Sequence, residues 1–421
     1  MSKNRKLESA QASNVFQFTL AGLIIFSLAL IGSSAFLTYR FAPSSQPGLE
    51  QTFAVDPKDK SNSVRTGPWG TLMTQEIQLE RPAEYLTEEV ANPQPEVWTF
   101  NGMKPDAVKA FFVKNGLSTE QIAAAFTPGD FTEIGSGTEI RPTDKFLLSL
   151  DGDARRKLYL AMAGMGVNLY LDYPYIFPGD LVETIYNDSR LNPQDVALFR
   201  QLLYINGGSQ QLSDYPFLLG KIPTVERRVA LARSMSRQSA VLARLVIRPD
   251  TDIDKIAGYW GSMPNVHFTD IRPLMESLKQ MPQGGNVSLL YMLPKFARDR
   301  LYTFPQPPQP GDPTMDCHWS TFNFSNETPD NRFNDPTFAV QYIQKNFYQI
   351  AAPSLYGDIV LLMNDKQEVK HSAVYLADDI VFTKNGNNYR QPWMLMRIPD
   401  LLSTYPSTPP MRVIYMRHKA E

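Results

Sequence analysis

One cysteine and one histidine in the last third of the chain are of the types, and stand in the order, that thiol chemistry requires. Cys317 is the only cysteine in 421 residues, and His371 follows after a stretch long enough for a helix and a strand. A lone cysteine excludes an intrachain disulfide and a cysteine-rich zinc site. The thiolate is the nucleophilic form of cysteine, and an imidazole held on a strand can take and return its proton. The pair is a candidate nucleophile and base, and the alternative is a buried, inert core cysteine.

The elements that must position this pair follow a pattern of one helix and four strands. Asp335 and Pro336 are typical of a helix start, and apolar residues continue at helical spacing to Ile350. Runs of β-branched and apolar residues predict strands at 358–363, 370–377, 379–384 and 411–417. A proline-rich stretch at 305–313 marks either a domain boundary or a rigid surface loop. We therefore expect an α+β domain over residues 305–421.

Three segments of this domain, MDCHW, GDIVLL and HSAVYLADDIVFTKNG, resemble the landmarks of the NlpC-like cysteine peptidases of bacterial cell walls. The resemblance covers roughly residues 300–421. It implies a papain-like α+β fold with an antiparallel sheet. It also implies hydrolysis of amide bonds in the peptides of peptidoglycan, with no cofactor.

Catalytic roles implied by the resemblance transfer to individual positions. Cys317 corresponds to the nucleophile and His371 to the general base. Alignment on VYLADD puts Thr383 at the third polar position, which orients the imidazole, and Asn385 lies two residues further on. An amide oxygen accepts an imidazole N–H well, and residues two apart in a strand share a face, so both are candidates.

Three further residues are candidate substrate-binding residues by the same resemblance. Asp316 matches the residue before the nucleophile, and Tyr302 matches a tyrosine upstream of it. Trp319 stands where the family has a small residue, so its side chain would narrow a cleft beside the thiol. We expect all three near Cys317.

Departures from the family pattern at the nucleophile leave two other functions open. His318-Trp319 replaces a Ser-Gly pair, and the third position lacks the common histidine. One alternative is a non-catalytic envelope scaffold or binding protein with a degenerate peptidase fold. The other keeps the thioacyl chemistry and passes the acyl group to an amine or hydroxyl, which makes the protein a transferase.

Residues 79–304 predict a mainly helical domain because helix start and stop signals recur along them. Pro105 and Gly116 bracket one helix, and Ser118 with Gln121 forms a capping box for the next. A longer helical pattern, VERRVALARSMSRQSAVLARLVI, follows Thr224. We assign no function to this domain.

The first eighty residues predict a tether to a membrane. Residues 15–39 lack charged side chains over a length that suits a transmembrane helix, and the basic residues before them favour a cytoplasmic tail at 1–14. Residues 40–78 are rich in Pro, Ser and Gly and predict a flexible linker. We expect the bulk of the chain in the periplasm, outside a bacterial-type inner membrane, and a cleaved signal peptide would give the same compartment.

Charge and histidine spacing argue against other partners. Lys plus Arg number 41 against 43 Asp plus Glu, and no basic run indicates a nucleic-acid surface. His267, His318 and His418 lack the spacing of metal ligands, so we expect no metal. The expected partners are the membrane and cell-wall peptides, and the oligomeric state stays open.

Overall fold

The structure, a computed structural model, divides the chain into two compact units. It describes residues 62–419 except 166, 178, 264–267, 307–311, 313–314, 387–388, 406 and 408. The helical unit comprises Glu80–Arg237. The sheet unit comprises the chain on either side, up to Leu79 and from Gln238 onward. The helical unit is therefore an insertion in the sequence of the sheet unit.

A hairpin opens the described chain and belongs to the sheet unit. β1 (Asn62–Gly67) and β2 (Gly70–Leu79) pair antiparallel, and Gly70 at the turn has a φ of +93°, which glycine adopts most readily. Residues 62–78, predicted as part of a flexible linker, are therefore strand and turn. Their polar composition hid a period of two, in which Leu72 and Thr74 face inward.

The helical unit consists of short helices and two three-stranded antiparallel sheets, of order β3-β5-β4 and β6-β8-β7. Its strands are β3 (Trp98–Asn101), β4 (Phe131–Ile134), β5 (Gly137–Ile140), β6 (Tyr175–Phe177), β7 (Tyr204–Asn206) and β8 (Ser209–Leu212). Its helices are α1 (Ala83–Ala91), α2 (Pro105–Lys114), α3 (Thr119–Ala125), α4 (Asp144–Ser149), α5 (Gly152–Met162), α6 (Leu169–Asp172), α7 (Leu181–Tyr186), α8 (Pro193–Leu202), α9 (Tyr215–Lys221) and α10 (Val225–Met235).

Helix starts in this unit fall where the capping residues predict them. Ser118 and Gln121 form the reciprocal capping box of α3, and Asn192 and Thr224 cap α8 and α10. Gly116, with a φ of +87°, follows α2. Short-range signals of this kind are readable from sequence because a cap and the N–H group it satisfies are only two or three residues apart.

A buried ionic group lies in the core of the helical unit. Arg155 donates to Asp214, and Tyr159 also donates to Asp214, with 2.6 Å between the oxygens. Glu96 accepts a hydrogen bond of 3.1 Å from the indole of Trp98. Burial, and next the charge of Asp214, raise the pKa of Glu96 to about 8. Glu96 is therefore protonated at neutral pH in the folded chain.

The remaining elements complete the sheet unit in chain order. They are β9 (Gln238–Ile247), α11 (Ile253–Trp260), α12 (Phe268–Lys279), β10 (Gly285–Ser288), α13 (Lys295–Arg300), α14 (Cys317–Phe322), α15 (Pro336–Asn346), β11 (Phe347–Ile350), β12 (Ile359–Met363), β13 (Val369–Ala377), β14 (Ile380–Lys384), β15 (Trp393–Arg397), α16 (Ile398–Thr404) and β16 (Arg412–His418). One sheet has the order β1-β2-β9-β10 and the other β11-β16-β12-β13-β14-β15, with every neighbouring pair antiparallel.

Strands β12, β13 and β14 are covered on both faces, and alternate side chains belong to different apolar clusters. Val374 and Phe382 lie in one cluster with Trp319 and Phe322 of α14. Ala373 and Val381 lie in another with Leu401 of α16. The sheet thus packs α14 on one face and α16 on the other, so these strands are apolar almost throughout.

Two sequence expectations differ from this architecture. The pattern after Thr224 is not one helix: α10 ends at Met235, and β9 begins at Gln238, where alternation in SAVLARLVI suits a strand paired on both edges. The domain boundary expected at residue 305 falls within the sheet unit. Residues 238–304 pack with the C-terminal elements because their apolar side chains share one core with them.

The fold class is α+β with several antiparallel sheets, as expected for the C-terminal part. The transmembrane helix expected at residues 15–39 finds no support. No helix within the described residues is long and apolar enough to span a membrane, and residues 1–61 lie outside them.

Glu96 predicts a pH-dependent stability of the helical unit. The pKa of Glu96 in the folded chain lies above the unfolded value of 4.5. Its contribution to the free energy of unfolding is therefore complete below pH 4.5 and is lost as pH rises through about 8. We expect the free energy of unfolding to fall by up to about 1.4 kcal/mol per pH unit across this window. Native-state hydrogen exchange of core amides checks this, and Glu96→Gln should flatten the slope. The exposed Glu88→Gln serves as the control, and an unchanged slope in Glu96→Gln would contradict the assignment.

Candidate functional site

Helix α14 positions Cys317 as its first residue. Asp316 is the N-cap, and its carboxylate accepts a hydrogen bond of 2.7 Å from the backbone N–H of Trp319. All six residues of α14 are buried, and Cys317 itself is only 5% exposed. Cys317 therefore lies at a helix start, but its thiol is inside the protein.

Ser372 of β13 holds α14 against the sheet. Its hydroxyl lies 3.3 Å from the carbonyl oxygen of Cys317, 3.0 Å from the Thr321 hydroxyl and 2.9 Å from Nδ1 of His318. The indole N–H of Trp393 on β15 donates to the Ser320 hydroxyl at 2.9 Å, which joins α14 to a second strand. The side chain of His318 therefore serves this packing, and burial lowers its pKa.

The pairing of β13 with β14 leaves a gap next to Ser372, whose backbone N–H bonds the Cys317 thiol. The two strands pair from Val374 and Phe382 toward their turn, so His371 and Thr383 lie beyond the end of the ladder. His371 is fully buried, and its ring reaches across to Thr383, with 2.8 Å between Nε2 and Oγ1. Thr383 lies 3.5 Å from the amide oxygen of Asn385. Thr383 is the direct partner of the imidazole and Asn385 the next link.

Hydrogen bonds determine which nitrogen of His371 carries the proton. The hydroxyl of Tyr405 lies 2.8 Å from Nδ1 and also accepts from the backbone N–H of Gly386 at 3.1 Å. Because Thr383 donates its hydroxyl proton to the amide oxygen of Asn385, its oxygen is free to accept from Nε2–H, which leaves Nδ1 to accept from the Tyr405 hydroxyl. Nδ1 is then the acceptor, and Nε2–H donates to Thr383. Burial lowers the pKa of His371 well below its usual range, which keeps the ring neutral.

Burial suppresses ionisation of the thiol. Burial and then the charge of Asp316 raise the pKa of Cys317 to about 12, although the N–H of Ser372 and the charge of Lys384 act in the opposite direction. Lys384 is buried on β14, and burial lowers its pKa to about 8. Burial also raises the pKa of Asp316. In this conformation Cys317 is a protonated thiol beside a carboxyl group and an amine.

Two of the expected substrate-binding residues are packing residues. The hydroxyl of Tyr302 donates to the carbonyl of Val241 at 2.6 Å, and its backbone has a φ of +62°. Trp319 is 2% exposed, and its indole donates to Asn331 at 3.1 Å. Trp319 thus fills the core under α14 and does not line an open cleft. Asp316 is next to the thiol, and its carboxylate caps the helix.

The possible metal ligands among the described residues do not come together in space. No group of three or more His, Cys, Asp or Glu side chains there could hold a metal ion. His418 is exposed at the end of β16, and its Nδ1 lies 2.7 Å from the carbonyl of Lys419. His267 lies outside the described residues.

Sequence reasoning missed Tyr405, Lys384 and Ser372. Ser372 and Lys384 directly follow His371 and Thr383, so alternation along a strand puts them on the opposite face from the two expected residues. That alternation was a usable signal. Tyr405 follows α16, and nothing local in its sequence indicates a contact with a strand more than thirty residues away.

Comparison of this chain with protein-family models, with curated proteins and with solved structures gives no match.

The raised pKa of Cys317 predicts slow alkylation of the native chain. At pH 8 a thiol with a pKa of about 12 has a thiolate fraction roughly a thousandfold below that of a free cysteine. Iodoacetamide labelling followed by intact mass reports Cys317 alone, because it is the only cysteine. The same chain in denaturant is the control, and a native rate within tenfold of the denatured rate would contradict the closed geometry.

Proposed function

We propose that the sheet unit is a cysteine amidase or peptidase acting on peptide amide bonds, with Cys317 as nucleophile and His371 as base. The observation that carries this proposal is the pair of hydrogen bonds of His371, one at each ring nitrogen. A general base for a thiol needs one ring nitrogen with a free electron pair and a proton on the other nitrogen held by an orienting group. The bond from Nε2–H to Thr383 supplies this state.

The reaction would proceed through a thioacyl intermediate. Nδ1 of His371 takes the proton of Cys317, and the sulfur attacks the carbonyl carbon of the amide. The protonated ring then gives its proton to the departing amine nitrogen, and the C–N bond breaks. Nδ1 next takes a proton from water, and the water oxygen attacks the thioester carbon. The C–S bond then breaks, and the ring returns the proton to the sulfur, which leaves a carboxylic acid and the free thiol. Lys384 favours the thiolate electrostatically.

Peptides of the bacterial cell wall are the substrate class that the resemblance of residues 300–421 suggests. Under this proposal α14, β13 and β14 form the catalytic part of an NlpC-like domain with a papain-like fold. Placement of the enzyme in the periplasm stays a prediction. A hydrolase and an acyltransferase differ in the nucleophile of the second step, which is water for the hydrolase and an amine or hydroxyl for the acyltransferase.

A second candidate function is a non-catalytic binding protein with a degenerate peptidase fold. The burial of Cys317, together with its raised pKa, favours this alternative. In that case His371, Thr383 and Tyr405 are a buried polar network that stabilises the fold.

Turnover of peptide substrates should depend on both proposed reacting residues. We expect long incubations with peptidoglycan stem peptides to release new amines, detected by mass spectrometry. Cys317→Ala and His371→Ala should each remove the signal, because one lacks the nucleophile and the other its base. Added hydroxylamine should intercept the thioacyl intermediate and release a hydroxamate, which reports the thioester on Cys317. Product formation that persists in Cys317→Ala would contradict the thiol mechanism.

Thr383 should support turnover through its hydroxyl. Thr383→Val keeps the shape but leaves Nε2–H of His371 without its acceptor, and such a loss of about 1–3 kcal/mol predicts a ten- to hundredfold lower rate. Thr383→Ser is the matched control because it keeps the hydroxyl. Equal rates for the two variants would argue against an orienting role, and circular dichroism checks that both remain folded.

A further inference from the structure

Tyr405 is hydrogen-bonded to Nδ1 of His371, the nitrogen that takes the proton of Cys317 in the proposed reaction. Its hydroxyl lies 2.8 Å from Nδ1, and the two rings are 4.6 Å apart between centroids. The backbone N–H of Gly386 fixes the hydroxyl from the other side at 3.1 Å. Tyr405 is only partly exposed and packs against the apolar cluster on the α16 face of the sheet.

We propose that Tyr405 is a gate on the thiol site: its hydroxyl holds Nδ1 of His371 in the closed state, and the site opens when this side chain leaves. This inference rests on the proposed function, since a gate matters only if the imidazole takes the proton of Cys317. It names a regulatory residue that the sequence pattern did not indicate.

Competition for a single electron pair is the physical basis of the gate. A neutral imidazole has one acceptor nitrogen. Nδ1 can accept a hydrogen bond from Tyr405 or take the proton of Cys317, but it cannot do both. Burial, followed by the charges of Cys317 and Asp316, raises the pKa of Tyr405 well above its usual range. Tyr405 therefore stays a donor throughout the neutral range, and its hydroxyl lies within electrostatic reach of the thiol.

The position of Tyr405 allows its side chain to move without unfolding the sheet. It caps the C-terminal end of α16, a helix of seven residues, through a bond from its backbone N–H to Leu402 at 3.1 Å. Leu401, fully buried, holds α16 on the sheet independently of Tyr405. Release of Tyr405 breaks two hydrogen bonds and one ring contact, while the helix stays attached.

Other charged groups around His371 remain the same when Tyr405 is changed. His318 and Lys384 act on the imidazole from α14 and β14, and Asp316 acts on the thiol from the start of α14. The double variants with His371→Ala separate an effect on the imidazole from an effect on these neighbours.

The test measures the pH dependence of Cys317 alkylation by iodoacetamide in the whole chain and in Tyr405 variants. Tyr405→Phe removes the hydroxyl and keeps the ring, and Tyr405→Ala removes both. We expect rates at pH 7 to rise at least tenfold in Tyr405→Phe and further in Tyr405→Ala. A reactive shoulder below pH 8 should appear and should vanish in the double variant with His371→Ala. Tyr415→Phe, a partly buried tyrosine of the same cluster, is the control and should behave as the wild type.

The outcomes separate the gate from the function beneath it. If folded Tyr405→Phe and Tyr405→Ala react no faster than the wild type, the gate is overturned; Cys317- and His371-dependent turnover by the wild type would then keep the proposed function. If removal of Tyr405 speeds alkylation equally with and without His371, the tyrosine only shields the thiol, and both proposals fail. Circular dichroism of each variant checks that the compared proteins are folded.

Discussion

Complete burial of α14 is the constraint on which the candidate site depends. A helix of six residues is not stable alone, and polar groups that have left water need partners inside the protein. Asp316 supplies one from the chain just before the helix, and Ser372 and Trp393 supply the others from strands. These bonds determine the rotation and height of the helix, and with them the direction of Cys317. The gap between β13 and β14 gives the sulfur its position beside the sheet.

The ionisation of the Cys317 thiol depends on several neighbours and not on His371 alone, because Asp316 and Lys384 carry opposite charges beside it. Burial disfavours every charged form here, as the shifts of Cys317, Lys384 and His371 all show. Lys384 is the group whose charge favours the thiolate, whereas His371 is a neutral proton acceptor bound to its neighbours. Solvent entering the gap would relieve burial for all of these groups together, so small changes in access have large effects on ionisation.

Local signals predicted local structure well, and long-range contacts were beyond them. Caps at Ser118, Asn192 and Thr224 and the four C-terminal strands were readable, because a cap or an apolar run is complete within a few residues. The same local reading extended one helix from Thr224 through β9 and took β1 and β2 for linker, since strand pairing depends on partners far away in sequence. At the site, the resemblance made Thr383 and Asn385 both candidates for orienting the imidazole, and the choice between them depended on side-chain geometry that the sequence does not contain. The contact of Tyr405 with Nδ1 depends on how α16 packs, and no motif carries that information.

The insertion of the helical unit has a consequence for how the protein is made. Leu79 and Gln238 are partners in the β2–β9 pair, and the Cα atoms of such partners lie about 4.5–5.5 Å apart. During synthesis the hairpin of β1 and β2 emerges first and keeps an unpaired edge until β9 follows, a state prone to association with other chains. Closing that pairing across a disordered intervening chain would carry the entropy of a long loop. Once the helical unit has folded, its two ends are held by the unit itself and not by a flexible coil. The pairing then costs less loop entropy than it would across a disordered chain of the same length.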